Sequence, residues 1–355
     1  MAESVSTAQH ARKDPYPVGS ILYLNVVSDT QTPQNGTKRK VRVKRQIQPC
    51  TLSCGLVVEI LDDTDHAEAE NESKPNREAF LKLYDWRFAQ GFREDNCVGP
   101  WSREIEHKYL TGLVSGKVQK FIYWLNDDES SGESSEGSQD DWEAEEEEAY
   151  LYNNLIAIYE AEVAIYARLS KYQGDAIPSL LGQVTLNIPS ENFTLDKQQQ
   201  HFYHVKGILL EYLPAFTLSD MIEKAPRTSW QEIVDKAVQT IHILNDNDVL
   251  NHDVRPENFI VVPVGQERYR VFMIDFGQSR LRGKNESDAE WGRGKWNTDE
   301  EGAIGLTMRM RLGKVGFELK YEPMRRYLEW TNRSYGVAYL GCQRYCQSRS
   351  YIRNH

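Results

Sequence analysis

Two carboxylates and one amide stand out because they lie in two short polar segments that are each joined to an apolar run. Asp253 and Asn258 lie in NHDVRPENFIVV, residues 251–262, and Asp275 lies in VFMIDFGQSR, residues 271–280. One carboxylate can face an acceptor hydroxyl, while a second carboxylate and an amide oxygen can hold Mg²⁺ on phosphate groups. These residue types in this order indicate phosphoryl transfer.

Both segments also resemble motifs of a known family. Asp-x-x-Pro-Glu-Asn resembles the catalytic loop of protein kinases, and Asp-Phe-Gly resembles their magnesium-binding loop. The resemblance implies that Asp253 is the catalytic base and that Asn258 and Asp275 are metal ligands. Gly277 would let the backbone turn sharply. Taken singly, Asp253 and Asn258 are also compatible with a polar hairpin that satisfies its own backbone, and Asp275 with a strand-end cap.

The catalytic-loop segment departs from the protein-kinase pattern at three positions. Arg255 stands where protein kinases usually carry a Lys that touches the transferred phosphate, and a guanidinium could bind that phosphate with two donors. The alternative is a surface Arg beside Pro256. Asn251 and His252 replace the usual His and Arg. Asn251 can still support the backbone by hydrogen bonds, but without the Arg we expect no activation by loop phosphorylation.

A lysine and a glutamate upstream are candidates for orienting the phosphates of ATP. Lys82 lies between apolar neighbours in AFLKLYD, and Glu162 lies beside the apolar face of a predicted helix. By resemblance, their ion pair would aim the ammonium at the α and β phosphates. Two rivals remain open: Lys120, which we expect to lie in a strand within KVQKFIYWL, and Glu160, which lies about 160° around the helix from Glu162.

The remaining candidates for nucleotide binding lie in turns. The turn PCTLSCG carries Ser53 and Gly55 where a Gly-rich phosphate-covering loop is expected, and a plain turn between strands is the alternative. Glu211 and Leu213, at the end of an apolar run, lie where the family presents backbone groups to adenine. Asp299 resembles the helix-start aspartate that braces the catalytic loop, although a plain helix cap would look the same.

Hydrophobic periodicity supplies the elements that must position these residues. Strands are predicted at 21–27, 41–47, 55–61, 79–85, 182–188, 205–213, 259–262 and 270–275. Helices are predicted from Tyr150 onward, with Gly174 and Pro178 marking the end, from Trp230 to Leu244 and from Asp299 onward. Together with the resemblance, this order implies an α+β, bilobal protein-kinase-like fold. Its N-lobe would be an antiparallel sheet with one helix, and its C-lobe would be reduced and mainly helical.

Five runs, which include the two motifs above, look like the fungal protein-kinase-like families over roughly residues 41–310. They are KLYDWRFA, YEAEVAIYARLSKYQGDAIPSLLG, VLNHDVRPENFIV, MIDFGQSR and TDEEGAIG. The expected organisation is a flexible arm at 1–19, an N-lobe at 20–213 with a disordered acidic insertion at 126–148, and a C-lobe at 214–355.

Composition limits the classes of partner. The formal charge is −11, and Asp127–Glu148 holds twelve acidic residues and no Lys or Arg, so the rest of the chain carries +1. A near-neutral body argues against nucleic-acid binding. Neither a signal-peptide core nor a run of eighteen apolar residues is present, so we expect no membrane association. Five cysteines do not suggest a disulfide framework, and we expect an intracellular protein of the cytoplasm or nucleus.

The expected function is that of an ATP- and Mg²⁺-dependent kinase acting on a Ser/Thr-type or small hydroxyl acceptor. One alternative is a pseudokinase that binds partners, favoured by the single glycine of the phosphate-covering turn. Another is a small-molecule phosphotransferase, favoured by the short C-lobe.

The acidic insertion could serve as a tether for a partner. Ser130 has Glu133 three residues on and Ser138 has Asp141, which suits acid-directed kinases. The alternative is a solvated insertion with no role.

Overall fold

The computed structural model describes residues 15–27, 36–61, 78–127, 142–190 and 192–330. Most of the expected flexible arm lies outside these ranges, as do Ser130 and Ser138 of the acidic insertion.

Six antiparallel strands in the N-terminal half form a closed barrel in the order β1-β2-β3-β4-β6-β5. They are β1 Ile21–Val27, β2 Thr37–Ile47, β3 Cys54–Leu61, β4 Glu78–Tyr84, β5 Leu180–Asn187 and β6 His204–Glu211. Successive side chains of each strand point to opposite faces of the sheet. The aliphatic side chains of one face fill the barrel interior, where Val43, Leu56 and Leu81 are at most 1% exposed. Lys82 and Tyr84 point to the opposite, outer face of β4.

The expected fold is therefore wrong for this half, which is not a typical bilobal kinase N-lobe with an open sheet and one helix. The sheet closes because β1 pairs with both β2 and β5, with Val26 opposite Val184. Among the residues that the structure describes, five α-helices accompany the barrel instead of one. They are α1 Gln90–Asp95, α2 Arg103–Ser115, α3 Lys117–Leu125, α4 Ala144–Arg168 and α5 Lys197–His201.

The strand expected around Lys120 is also wrong, because KVQKFIYWL forms α3. Val118 and Ile122, four residues apart, are its buried residues, which is the spacing of one helix face. Gly116 adopts a left-handed φ of 81° and separates α3 from α2. A short apolar run does not by itself distinguish a strand from a buried helix.

The long helix α4 begins inside the segment expected to be disordered. Glu143 and Glu146 form a reciprocal capping box, and the Trp142 ring packs at 5.2 Å from Phe121. Further along, Glu148 accepts hydrogen bonds from the buried guanidinium of Arg93 at 2.6 and 2.9 Å. Residues 142–148 are thus part of the folded body, because local capping and an ion pair compensate for their charge.

The C-terminal half combines two small sheets with helices. Its strands are β7 Phe216–Thr217, β8 Val249–Asn251, β9 Phe259–Pro263, β10 Tyr269–Met273 and β11 Ser279–Leu281. Its helices are α6 Met221–Lys224, α7 Trp230–Asp246, α8 Asp288–Thr298 and α9 Glu300–Gly313. The sheets have the orders β10-β9-β7 and β11-β8. Residues 314–327 contain no helix, contrary to the prediction, and Tyr321 packs there against Gly305 of α9.

Candidate active site

Asn258 and Asp275 lie at adjacent ends of one antiparallel hairpin. β9 begins directly after Asn258, β10 ends two residues before Asp275, and Phe259 is the partner of Met273. The Ile274 N–H donates to the Asn258 carbonyl oxygen at 2.8 Å. Antiparallel pairing therefore brings both predicted metal ligands to the same end of the β9–β10 hairpin.

The amide of Asn258 is oriented by Asp253. Its Nδ2 donates to the Asp253 carbonyl oxygen at 2.8 Å and to Asp253 Oδ2 at 3.1 Å. Among the described residues, its Oδ1 is contacted only by Arg255 Nε, at 3.5 Å. An amide oxygen is a ligand that Mg²⁺ accepts. The arrangement fits a role for Asn258 as a ligand through Oδ1 and also fixes the position of Asp253.

Asp253 has the environment of a proton acceptor. Its side chain is 22% exposed, and Arg255 Nη2 lies 3.2 Å from its Oδ2. Burial raises the pKa of Asp253 above its ordinary value, although Arg255 and the Asn258 hydrogen bond act in the opposite direction. A raised pKa favours general-base catalysis near neutral pH, because the base must hold a proton in the transition state.

Asp275 is held as a carboxylate. Its Oδ1 accepts hydrogen bonds from Lys82 Nζ at 2.7 Å and from the Gly277 N–H at 3.1 Å. Burial raises the pKa of Asp275, but Lys82, the Gly277 N–H and Arg255 together outweigh burial, so that the pKa lies below its ordinary value. A Cβ at Gly277 would lie 3.3 Å from Asp275 Oδ1, so glycine permits this close approach.

Lys82 and Glu162 meet although eighty residues separate them in the chain. Lys82 Nζ lies 2.7 Å from Glu162 Oε2, and the two side chains are 8% and 0% exposed. Tyr84 Oη also donates to Glu162, and the Phe276 N–H donates to Glu162 Oε1 at 3.3 Å. Burial lowers the pKa of Lys82, but the Asp275 and Glu162 carboxylates raise it by more. The ammonium is therefore charged and lies between two carboxylates.

The two rivals lie elsewhere. Glu160 is on the exposed face of α4, and Lys120 is on the exposed face of α3. The structure thus brings Lys82 and Glu162 to Asp275, and it does not bring Lys120 or Glu160 there.

The turn that was predicted to cover phosphate lies next to Lys82. Gly55 is the register partner of Lys82 in the β3–β4 pair, and Ser53 precedes β3 directly in the turn. A Cβ at Gly55 would lie 2.9 Å from the tip of the Phe80 ring. Close packing against Phe80 is therefore a sufficient reason for glycine at this position.

The predicted adenine contacts receive less support. The Glu211 N–H donates to the Ser179 carbonyl oxygen at 2.9 Å. Glu211 Oε2 accepts from the Ser179 N–H at 3.1 Å and from its hydroxyl at 2.9 Å. Leu213 is half-buried beyond the end of β6. The N–H and the carboxylate of Glu211 are thus already hydrogen-bonded within the protein.

Glu300, the neighbour of Asp299 in the chain, binds the segment that carries Asp253. Glu300 Oε1 accepts a hydrogen bond from the Asn251 N–H at 2.8 Å. Asp299 precedes α9 with a left-handed φ of 50°. The run TDEEG places three acidic residues together, and a helix-start pattern does not specify which of them faces the loop.

The supporting role predicted for Asn251 is confirmed. Its Oδ1 accepts from the Asp253 N–H at 2.7 Å, and its Nδ2 donates to the Asp275 carbonyl oxygen at 3.3 Å. Asn251 is fully buried and connects the two loops that carry the candidate catalytic residues.

The protein offers few ligands for a metal ion at this site. Within the described ranges, no group of three or more His, Cys, Asp or Glu side chains could hold a metal ion. Asn258 and Asp275 offer two oxygen ligands, and Mg²⁺ commonly takes the others from phosphates and water. A surface depression of about 470 Å³ beside α9, lined by Arg309, Phe317 and Leu319 among others, includes none of the candidate residues.

No helix in the part of the chain that the structure covers is both long and apolar enough to cross a membrane. No protein-family model matches the chain, and no curated protein matches it. Function is therefore inferred from the geometry of the candidate site.

Proposed function

We propose that this chain is an ATP- and Mg²⁺-dependent phosphotransferase that acts on a hydroxyl acceptor of Ser/Thr type. The observation that carries the proposal is the position of Lys82, whose ammonium lies 2.7 Å from both Glu162 and Asp275. A charged lysine, an ionised carboxylate and an oriented amide are the groups that phosphate and Mg²⁺ require.

Each side chain has a role that follows from its surroundings. Lys82, held by Glu162, binds phosphate oxygens. Asp275 and Asn258 are the residues that would hold Mg²⁺, which supplies charge neutralisation at the phosphates when it is bound. Asp253, oriented by Asn258, accepts the proton of the acceptor hydroxyl. Arg255, whose side chain is 53% exposed, can reach the transferred group and neutralise its charge.

A second candidate function is a nucleotide-binding module that does not transfer phosphate. The phosphate-covering turn favours it, because Gly55 is explained by its contact with Phe80 and is the single glycine of that turn. A third candidate, transfer to a small molecule, shares the same catalytic groups and differs only in the acceptor.

Equilibrium binding of ATP with and without Mg²⁺, measured by calorimetry, tests the proposal. Asp275→Asn should weaken Mg²⁺-dependent binding, because Asp275 is a proposed ligand. Asp253→Asn should leave binding nearly intact and abolish transfer. Equal loss of binding in both variants would contradict the assignment of roles.

A transfer assay with radiolabelled ATP then separates the candidates. Peptide and small-hydroxyl acceptors are offered in parallel to the wild-type chain. Binding without transfer to any acceptor would favour the module, whereas transfer to small hydroxyl compounds alone would favour the third candidate.

We also propose kinship with the fungal protein-kinase-like families, because the site motifs resemble theirs, although the fold does not support it.

We propose a cytoplasmic or nuclear location for the protein. Cys50, Cys54 and Cys97 are free thiols, and the hydrogen bond between the Cys54 thiol and Cys50, together with burial, raises the pKa of Cys54. Two neighbouring reduced thiols are typical of a reducing compartment. Recovery of a Cys50–Cys54 disulfide from rapidly alkylated cells would contradict this location.

A further inference from the structure

Tyr84 is a buried tyrosine on the same strand face as Lys82. The two residues lie two positions apart on β4, so both side chains point to the outer face of the barrel. Tyr84 is 1% exposed, and its hydroxyl donates a hydrogen bond to Glu162 Oε2. The same oxygen accepts a hydrogen bond from Lys82 Nζ at 2.7 Å. Tyr84 and Lys82 therefore hold one atom of Glu162 from neighbouring positions of one strand.

The Tyr84 ring has little freedom to move. The Tyr159 ring meets it in an edge-to-face contact, with the ring centroids 5.7 Å apart. Tyr159 lies three residues before Glu162 on the same face of α4, and its hydroxyl donates to Gln183 Oε1 at 2.9 Å. Tyr84 is therefore a rigid hydrogen-bond donor, whereas the ammonium of Lys82 lies at the end of a flexible stem.

Glu162 depends on such a donor for its orientation. Its side chain is 0% exposed, and its other oxygen, Oε1, accepts from the Phe276 N–H at a long 3.3 Å. Lys82 divides its ammonium between Glu162 and Asp275, at 2.7 Å from each. Of the three donors to Glu162 that the structure describes, Tyr84 is the one that binds neither Asp275 nor its loop.

Tyr166 offers a contrast in the same surroundings. It lies four residues after Glu162 on α4 and is likewise fully buried. Burial, and then the charge of Glu162, raise the pKa of the Tyr166 hydroxyl well above its ordinary value. Yet this hydroxyl has no hydrogen-bond partner among the described residues. A tyrosine near Glu162 therefore does not bind it by proximity alone, and the hydrogen bond from Tyr84 depends on the place of Tyr84 on β4.

We propose that Tyr84 is a positioning residue that fixes the Glu162 carboxylate, so that Glu162 alone can hold Lys82 when Asp275 binds Mg²⁺. The inference rests on the proposed function for the roles of Lys82 and Asp275, but not for the hydrogen bond itself. Without the Tyr84 hydroxyl, Lys82 should depend more on Asp275, and Mg²⁺ must then compete with the ammonium for that carboxylate.

A double-mutant cycle tests the hydrogen bond without ATP or metal. Tyr84→Phe removes a hydrogen bond to a charged group, so the equilibrium constant for unfolding in urea should rise roughly 10- to 100-fold. In the Lys82→Met, Glu162→Leu background the hydroxyl has no carboxylate to bind, and the same substitution should not raise the constant. Tyr166→Phe is the matched control, because it removes a buried hydroxyl that makes no hydrogen bond within the described ranges. It should not raise the constant either.

The dependence on Mg²⁺ gives a readout that lower stability alone would not move. In Tyr84→Phe, the Mg²⁺ concentration for half-maximal ATP binding should rise about tenfold, because Mg²⁺ competes with Lys82 for Asp275. At saturating ATP and Mg²⁺, kcat per folded molecule should change less than about threefold, because Asp253 is oriented by Asn258. Tyr166→Phe should change both quantities less than about twofold.

The proposal is overturned if Tyr84→Phe behaves like Tyr166→Phe in both measurements, or if it costs as much in the Lys82→Met, Glu162→Leu background as in the wild type. If that background does not fold, the comparison of the two tyrosine variants remains the test. A higher unfolding constant with an unchanged Mg²⁺ requirement also overturns the proposal, because Tyr84 would then stabilise Glu162 without serving Lys82. A wild-type chain that does not bind ATP would sink the proposed function, and the double-mutant cycle would still support or overturn the fixing of Glu162 by Tyr84.

Discussion

Replacing Lys82 by Met tests the centre of the candidate site. The substitution keeps most of the aliphatic stem but removes the ammonium that lies between Glu162 and Asp275. Glu162 is fully buried and would lose its counter-charge, whereas the Asp275 side chain is 36% exposed and can be hydrated. Lys120→Met is the matched control, because Lys120 is an exposed lysine on α3.

The structure sets the expected magnitude. Breaking a buried ion pair by removing one partner costs about 3–5 kcal/mol. Glu162 keeps hydrogen bonds from Tyr84 Oη and the Phe276 N–H, which places the expected loss near the lower end of that range. At about 1.3 °C per kcal/mol for a chain of this size, Tm should fall by about 4 °C. Lys120→Met should change stability by no more than about 0.5 kcal/mol.

Nucleotide binding gives the second measurement. A hydrogen bond to a charged group contributes about 1.5–3 kcal/mol, so the Kd for ATP should rise about 10- to 100-fold in Lys82→Met. The double variant Lys82→Met with Glu162→Leu should recover stability, because an apolar pair replaces the ion pair, but not affinity. Calorimetry of ATP binding and thermal unfolding are measured for the wild type, Lys82→Met, Lys120→Met and the double variant. Equal effects of Lys82→Met and Lys120→Met, or a larger loss of affinity in the latter, would refute this assignment.

Three further substitutions test the packing around the site and the barrel. Tyr166→Phe should raise the free energy of unfolding by about 1 kcal/mol, because the buried Tyr166 hydroxyl has no hydrogen-bond partner among the described residues; a loss of stability in urea would show a hidden partner. Gly207→Ala should cost about 1–3 kcal/mol, since its Cβ would lie 2.5 Å from the Lys82 carbonyl oxygen, while Gly313→Ala has open space and should be nearly neutral in thermal unfolding. Burial and the nearby Lys206 lower the pKa of His204 to about 4, so the unfolded chain binds more protons between about pH 4 and 6.5 and stability is lost as pH falls through that window. His204→Gln should remove about 2 kcal/mol of the difference between denaturant unfolding at pH 7 and at pH 5, and an unchanged difference would refute this.

Local patterns carried most of what the sequence could predict. The alternation in AFLKLYD was sufficient to place Lys82 on one face of β4, and the spacing around Glu162 was sufficient to place it on the packed face of α4. Neither pattern depends on distant parts of the chain. The contact between the two residues was inferred from motif resemblance, and the structure brings them to 2.7 Å.

Non-local pairing and acidic runs were predicted poorly. Closure of the barrel depends on the pairing of β1 with β5, about 160 residues later in the chain. The alternating pattern of ILYLNVV predicts a strand but does not specify which other strands it pairs with. The order of residues 142–148 depends on the ion pair between Glu148 and Arg93, which composition does not reveal.

The candidate site forms although the predicted fold of the N-terminal half was wrong. The two faces of β4 explain this result. Leu81 and Leu83 point into the barrel, so they respond to how the sheet closes. Lys82 lies on the outer face, where its position is set by the register with Gly55 of β3 and Ile208 of β6 and by Glu162 of α4. The β1–β5 contact that closes the barrel involves neither β3 nor β4. A site assembled on the outer face of a central strand can therefore keep its geometry whether the sheet is open or closed.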